Sequence, residues 1–127
     1  MPSGLKPPSQ RMLKVGEEVR HALAEIFMRG EVHAPELEAV SITVSEVRMT
    51  PDLKLATAYI ATLGSESVEK LLPVLNKQYA HNIRRALIGK LHLKFLPQVR
   101  FRCDESFDEA NKINKLLQNA KQTDGLD

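Results

Sequence analysis

At 127 residues the chain fits one domain, large enough to bury about two thirds of its unfolded surface without a disulfide or metal staple. Its 43% apolar and 5% aromatic content describes a core of Leu, Ile, Val and Ala and excludes a disordered chain. A single cysteine, Cys103, excludes an internal disulfide and fits a reducing cytosol, and no stretch approaches the ~18 apolar residues of a membrane span, so a cytoplasmic location is expected.

The net charge of +2 hides a strong polarisation. Residues 70–103 carry eight Lys and Arg and no Asp or Glu, whereas residues 1–69 hold seven basic and ten acidic side chains, and residues 104–127 three and six. A local field of +8 between two segments of −3 concentrates polyanions, the electrostatic footprint of nucleic acid. A solvated charged face with no partner is the competing reading.

In chain order, residues 1–8 read as a flexible arm rich in Pro, Ser and Gly, residues 9–120 as a single domain and 121–127 as a polar tail. Ser9 is placed to cap a helix that ends before Gly30, with Val15, Val19, Leu23, Ile26 and Phe27 on one stripe. Residues 31–37 form a loop. Val40, Ile42 and Val44 then alternate with Ser41, Thr43 and Ser45, predicting a strand over 39–49 whose alternation slips near Glu46 and Val47. Thr50-Pro51-Asp52 supplies a turn into a second strand that ends at Gly64, an antiparallel hairpin. Small or apolar residues on both of its faces predict a central or partly covered strand.

Ser65 or Ser67 can cap the next helix, in which Pro73 removes a backbone donor and predicts a kink or a shifted start. A further helix follows, with Ala80, Ile83, Leu87 and Leu91 inward and a basic opposite face. From Leu91 to Cys103 the period becomes two, giving a third strand with Phe95 on its apolar face, His92, Lys94, Arg100 and Arg102 on its cationic face, and an interruption at Pro97. Ser106 and Glu109 form a capping box for a last helix striped by Phe107, Ala110, Ile113, Leu116 and Leu117.

This α-β-β-α-(break)-α-β order, with a three-stranded sheet and an additional C-terminal helix, is that of an α+β domain of the type II KH-like class. The resemblance extends to residues. Ser41-Ile42-Thr43-Val44-Ser45-Glu46-Val47, the Thr50-Pro51-Asp52-Leu53 turn with Lys54-Leu55-Ala56-Thr57-Ala58-Tyr59, Ile83-Arg84-Arg85-Ala86-Leu87, Leu93-Lys94-Phe95-Leu96-Pro97 and Asp104-Glu105-Ser106 together resemble bacterial ribosome-binding factor A over residues 10–120. The resemblance implies a cytoplasmic, non-catalytic assembly factor that binds the small ribosomal subunit and its rRNA, supports maturation of the 5′ end of that rRNA and matters most in the cold. A KH domain normally clamps nucleic acid with a GxxG loop, for which this family has an Ala-x-Gly break. Here no glycine lies between Gly64 and Gly89, so Ala80-His81-Asn82 is the expected break, with Asn82 or His81 in the glycine seat.

RNA contact is therefore expected from side chains: Lys77, His81, Asn82, Arg84 and Arg85 on the helices, Lys90 beyond them, and Lys94, Arg100 and Arg102 on the third strand. Arg84 could instead lay its stem over the core and pair with a carboxylate, and the strand cations could serve to blunt a sheet edge. His21, His33, His81 and His92 lack ligand spacing, Asp104, Glu105, Asp108 and Glu109 suit the start of the last helix, and Cys103 reads as a small buried hydrophobe. No metal, cofactor, small-molecule substrate, membrane contact or enzymatic activity is expected of a monomer of this kind. A protein-interaction module that pairs its basic face or third strand with an acidic partner is the alternative.

Overall fold

The computed structural model describes residues 7–63 and 67–104. The predicted cap at Ser65, the capping box at Ser106 and Glu109, the last helix and most of both termini lie outside them.

Helix α1 spans Gln10–Arg29. Ser9 Oγ accepts from the Met12 N–H at 3.1 Å, and Gly30 closes the helix in the left-handed region at φ 63°, where a missing Cβ removes the steric penalty. Its inner face buries Val15, Val19, Ala22, Leu23 and Ile26. Gly16 lies on the same face because a Cβ there would meet the Val47 carbonyl oxygen at 2.7 Å, so the glycine sets how closely α1 approaches the sheet. Within the expected loop, Pro35–Glu38 forms one helical turn, α2, for which Pro35 supplies a preset φ at the first position.

Strands β1, Ser41–Met49, and β2, Leu55–Leu63, form the antiparallel hairpin. The pairing register shifts between Val44 and Glu46, leaving Ser45 as a bulge. This accounts for the slipped alternation: the extra residue lets Ile42 and Val44 before it, and Val47 and Met49 after it, all turn toward the core. The turn is held by side chains, with the Thr50 hydroxyl donating to Asp52 at 2.6 Å and Asp52 accepting from the Lys54 N–H at 3.0 Å. Leu53 completes it at φ 61°. The Asp52 carboxyl is held below its usual range by the Thr50 hydroxyl first and the Lys54 N–H second.

Helix α3, Val68–Pro73, starts after Ser67 and changes character at Pro73. Because Pro73 has no N–H to donate, the α-helical ladder stops and Val74–Gln78 continues with π-helical spacing, ending on the Tyr79 N–H bonded to the Val74 carbonyl at 2.8 Å. Helix α4 then runs Ala80–Ile88. The predicted third strand is shorter than expected: β3 is Gln98–Cys103, and the stretch from Gly89 to Pro97 is irregular. Alternation there reflects partial cover of Leu91 and Leu93 by the core, without a ladder to join, and Phe95 is 77% exposed, not in the core.

β2 is the central strand of a sheet ordered β1-β2-β3, with β3 parallel to β2. That parallel pairing needs the crossover supplied by α3 and α4. Ala56, Ala58 and Ile60 of β2, Phe101 of β3, Leu71, Leu75, Ile83 and Leu87 of the crossover and the α1 stripe form one core between the sheet and the helices. Phe27 meets Phe101 edge to face at 5.9 Å. Cys103 is half-buried.

Candidate nucleic-acid interface

Burial of Ile83 and Leu87 fixes the roll of α4 and leaves His81, Asn82, Arg84 and Arg85 exposed on its outer side, with Lys77 exposed just before it. The break falls at Tyr79, one residue earlier than the expected Ala80-His81-Asn82, with φ −114° and ψ 15°. Neither His81 nor Asn82 occupies a glycine seat: both belong to the first turn of α4, and among the described residues only Leu53 and Gly30 have positive φ. The π-helical turn, started by Pro73, absorbs the change of direction that a left-handed residue would otherwise provide. The Tyr79 hydroxyl donates to Glu36 Oε2 at 2.8 Å and ties α2 to the break. That bond pushes the Tyr79 hydroxyl up, while Glu36 is held down by its own backbone N–H first and by Tyr79 second.

The first turn of α4 carries no acidic residue and no side-chain cap, which leaves its leading N–H groups, up to the Ile83 N–H bonded to the Tyr79 carbonyl at 3.0 Å, without a side-chain acceptor. A groove runs between this helix and β3, lined by Asn76, His81, Arg84, Gln98 and Val99 over Leu75 and Ile83. Asn76 closes its floor by bonding both backbone groups of Phe101, donating to the carbonyl at 3.0 Å and accepting from the N–H at 2.7 Å. The same clip satisfies the edge of β3 at its centre, which opposes strand addition there and weakens the alternative of pairing through the third strand.

Arg100 and Arg102 are exposed on the opposite side of β3, since Val99, Phe101 and Cys103 face the helices. Lys94 is not on the strand. It stands in the preceding loop with its Nζ 5.6 Å from the centroid of the Phe95 ring, and fully buried Pro97 anchors that loop. Lys90 differs from the other eight residues. Its Nζ lies 2.9 Å from Glu31 and 3.2 Å from Glu25, bonds that raise its pKa, Glu31 contributing most, and its side chain is only 17% exposed. Lys90 therefore ties the end of α4 to α1. Among the described residues no carboxylate pairs with Lys77, Arg84, Arg85, Lys94, Arg100 or Arg102, so the expectation that Arg84 pairs with an acid finds no partner among them.

The structure thus brings His81 and Arg84 to one groove, sets Arg85 and Lys77 beside it, puts Lys94 on the loop that leads into β3 and Arg100 and Arg102 around its edge. The sequence does not single out three side chains that shape these surfaces. Phe95 was hidden by an alternation that no ladder enforces, Asn76 by its lack of charge, and Arg48 by its distance in sequence; Arg48 stands 5.3 Å over the Tyr59 ring on the outer sheet face. Among the described residues no group of His, Cys, Asp or Glu could hold a metal ion, and no helix is long and apolar enough to cross a membrane.

The family model described as ribosome-binding factor A matches residues 11–117. A ribosome-binding factor A of Rhodopseudomonas palustris is 54% identical over 111 residues, covering 86% of this chain and 79% of the relative, and one of Bradyrhizobium diazoefficiens is 52% identical over 86% of this chain and 75% of its own. In fold, the chain is similar to the crystal structure of ribosome-binding factor A from Thermus thermophilus, with a TM-score of 0.57 at 23% identity, over 72% of this chain and 94% of the other. A Thermus thermophilus homology model fitted into the cryo-EM map of a 30S complex matches with a TM-score of 0.56 at 23% identity, over 72% and 92%.

Proposed function

The chain belongs to the ribosome-binding factor A family, and from that premise we propose that it is a monomeric, non-catalytic assembly factor of the cytoplasm that docks on the small ribosomal subunit through rRNA. Its docking supports maturation of the 5′ end of that rRNA, most of all in the cold. The observation that carries this reading is the set of exposed cations with no carboxylate partner among the described residues, running from Lys77, Arg84 and Arg85 on α4 by way of Lys94 to Arg100 and Arg102 on β3. Cations left free of carboxylates are available to phosphates, and arginines can grip them with two parallel N–H bonds.

The groove between α4 and β3 takes the part that a GxxG loop plays elsewhere. Backbone N–H groups at the uncapped start of α4 offer a seat for one phosphate, His81, Asn82 and Arg84 flank it, and Arg85 with Lys77 extends the contact along the strand of RNA. Phe95, exposed beside Lys94, adds a stacking surface for an unpaired base. Lys90 supports this site through α1 and does not touch RNA.

Cells of the source organism lacking this protein are expected to accumulate small-subunit rRNA with unprocessed 5′ ends on shift to low temperature, read by primer extension. The wild-type chain restores processing and the Arg84→Glu, Arg85→Glu chain does not. Normal 5′ ends in the deletion strain at low temperature would overturn the proposal.

A further inference from the structure

The face of the sheet turned away from the helices holds a second cluster that the groove does not use. Across the three strands, Arg48 of β1 lies opposite Thr57 of β2, which lies opposite Arg100 of β3; in the next row Glu46, Tyr59 and Arg102 stand side by side. Ala56, Ala58 and Ile60 point into the core, so Thr57 and Tyr59 point out. The Arg48 guanidinium sits 5.3 Å from the Tyr59 ring centroid, its side chain 67% exposed. Adjacent strands are about 4.8 Å apart, so Arg48 and Arg100 flank the central strand at roughly 10 Å. Arg48, Arg100 and Arg102 stand here with Glu46, which bonds Arg48 at 3.1 Å in an exposed pair that water and salt weaken, and Asp104 follows Arg102 at the same parity, its N–H bonded to the Ile60 carbonyl at 2.9 Å.

We propose that this outer sheet face is a platform for single-stranded RNA, in which an unpaired base stacks on Tyr59 and Arg48, Arg100 and Arg102 take the adjoining phosphates. The inference rests on the reading of the chain as an RNA-binding factor and adds a surface and a preference to it. A twisted sheet with one half-buried ring reaches a base only when that base is out of a helix, so duplex RNA does not satisfy the site. The place over the ring now held by Arg48 is one a base can take, because a guanidinium and a base are both planar groups that pack on an aromatic face. Arg48 then turns to a phosphate, for which Glu46 is a weak competitor. The charge of the face selects a polyanion over an acidic peptide helix, since its rows read Arg48-Thr57-Arg100 and Glu46-Tyr59-Arg102 and none of these six is an aliphatic residue on which a helix could pack its apolar stripe.

The test is fluorescence anisotropy with a short labelled oligouridine and with duplex RNA of equal length, using the full chain. Wild type is expected to prefer the single strand, Tyr59→Phe to bind it equally, and Tyr59→Leu to bind it roughly 10-fold or more weakly, the effect of losing one stacked base. Arg100→Gln with Arg102→Gln leaves Tyr59 in place and is expected to weaken the same binding and flatten its salt dependence. Full oligouridine affinity in Tyr59→Leu or in the arginine pair, or equal affinity of wild type for duplex, would overturn the platform. Co-sedimentation of wild type with small subunits is read separately: its failure counts against the assembly-factor reading, whereas the loss in Tyr59→Leu bears on this face alone.

Discussion

Asn76 is the side chain whose removal reads out the fold of the interface most sharply. It is half-buried, carries no charge, and meets the N–H and the carbonyl of Phe101 at 2.7 and 3.0 Å, where Phe101 is only 3% exposed. Asn76→Ala leaves both backbone groups without their partner. Each bond is worth about 1 kcal/mol net, and a poorly hydrated orphan costs about 1–3 kcal/mol, so a total near 2–3 kcal/mol is expected once some water reaches the strand edge. For a domain of this size that is a fall in Tm of roughly 10 °C. Urea unfolding followed by circular dichroism measures it, with an unchanged m-value. The freed edge of β3 also becomes a template for another strand, so Asn76→Ala is expected to self-associate on size exclusion while wild type does not. Asn76→Asp sharpens the test. Its carboxylate still accepts from the Phe101 N–H but opposes the carbonyl, which raises its folded pKa above the unfolded value of about 3.9, so the folded state binds the extra proton and stability recovers as pH falls from about 6 toward 4. A loss under about 0.5 kcal/mol in the alanine variant, or an aspartate variant that only weakens on that acidification, would refute the clip.

Other expectations follow from the contacts described. Gly16→Ala gains up to about 1 kcal/mol of helix propensity but drives a Cβ to 2.7 Å from the Val47 carbonyl oxygen, so a net loss of about 1–3 kcal/mol is expected in urea melts. A gain in stability would show that α1 is free to move off β1. Lys90, whose folded pKa is raised by Glu31 and Glu25, contributes stability below its unfolded value of about 10.4 that is lost as pH rises through the folded value. Lys90→Met is therefore expected to remove part of the alkaline fall in Tm, and an unchanged alkaline limb would contradict the tie to α1. Asp52, held down by Thr50, contributes in the opposite sense: its stability is present above about pH 4 and lost below, and Asp52→Asn is expected to flatten that acid limb in thermal melts.

Much of this arrangement is legible in the chain because local rules act alone there. Ser9 and Gly30 bracket α1, the paired Thr50 and Asp52 make the hairpin turn, and the inward Ile83 and Leu87 roll the basic face of α4 outward without help from distant residues. The slipped alternation of β1 is also local, since a bulge is the cheapest way to keep four apolar residues on one side. The failures occur where tertiary pairing decides. Residues 91–97 alternate like a strand, yet of the stretch 91–103 the backbone of β2 pairs with Gln98–Cys103 alone, so Lys94 and Phe95 fall in a loop. The helix break moved to Tyr79 because Pro73 changes the hydrogen-bond spacing several residues ahead of it, which a search for a glycine substitute does not consider. Lys90 carries the same charge as its neighbours, and only the return of α1 beside α4, which brings Glu25 and Glu31 to it, sets its environment apart from theirs.

The central claim is that the cations of α4 meet phosphates, and co-sedimentation with purified small subunits across a salt series tests it most directly. Wild type is expected to lose about 10³ in affinity between about 50 and 200 mM salt, the effect of about six phosphate contacts. The Arg84→Glu, Arg85→Glu chain is expected to fail to bind at any of these salts while melting close to wild type, because both side chains are exposed. A flat salt response, or binding by the doubly reversed chain, would contradict the account.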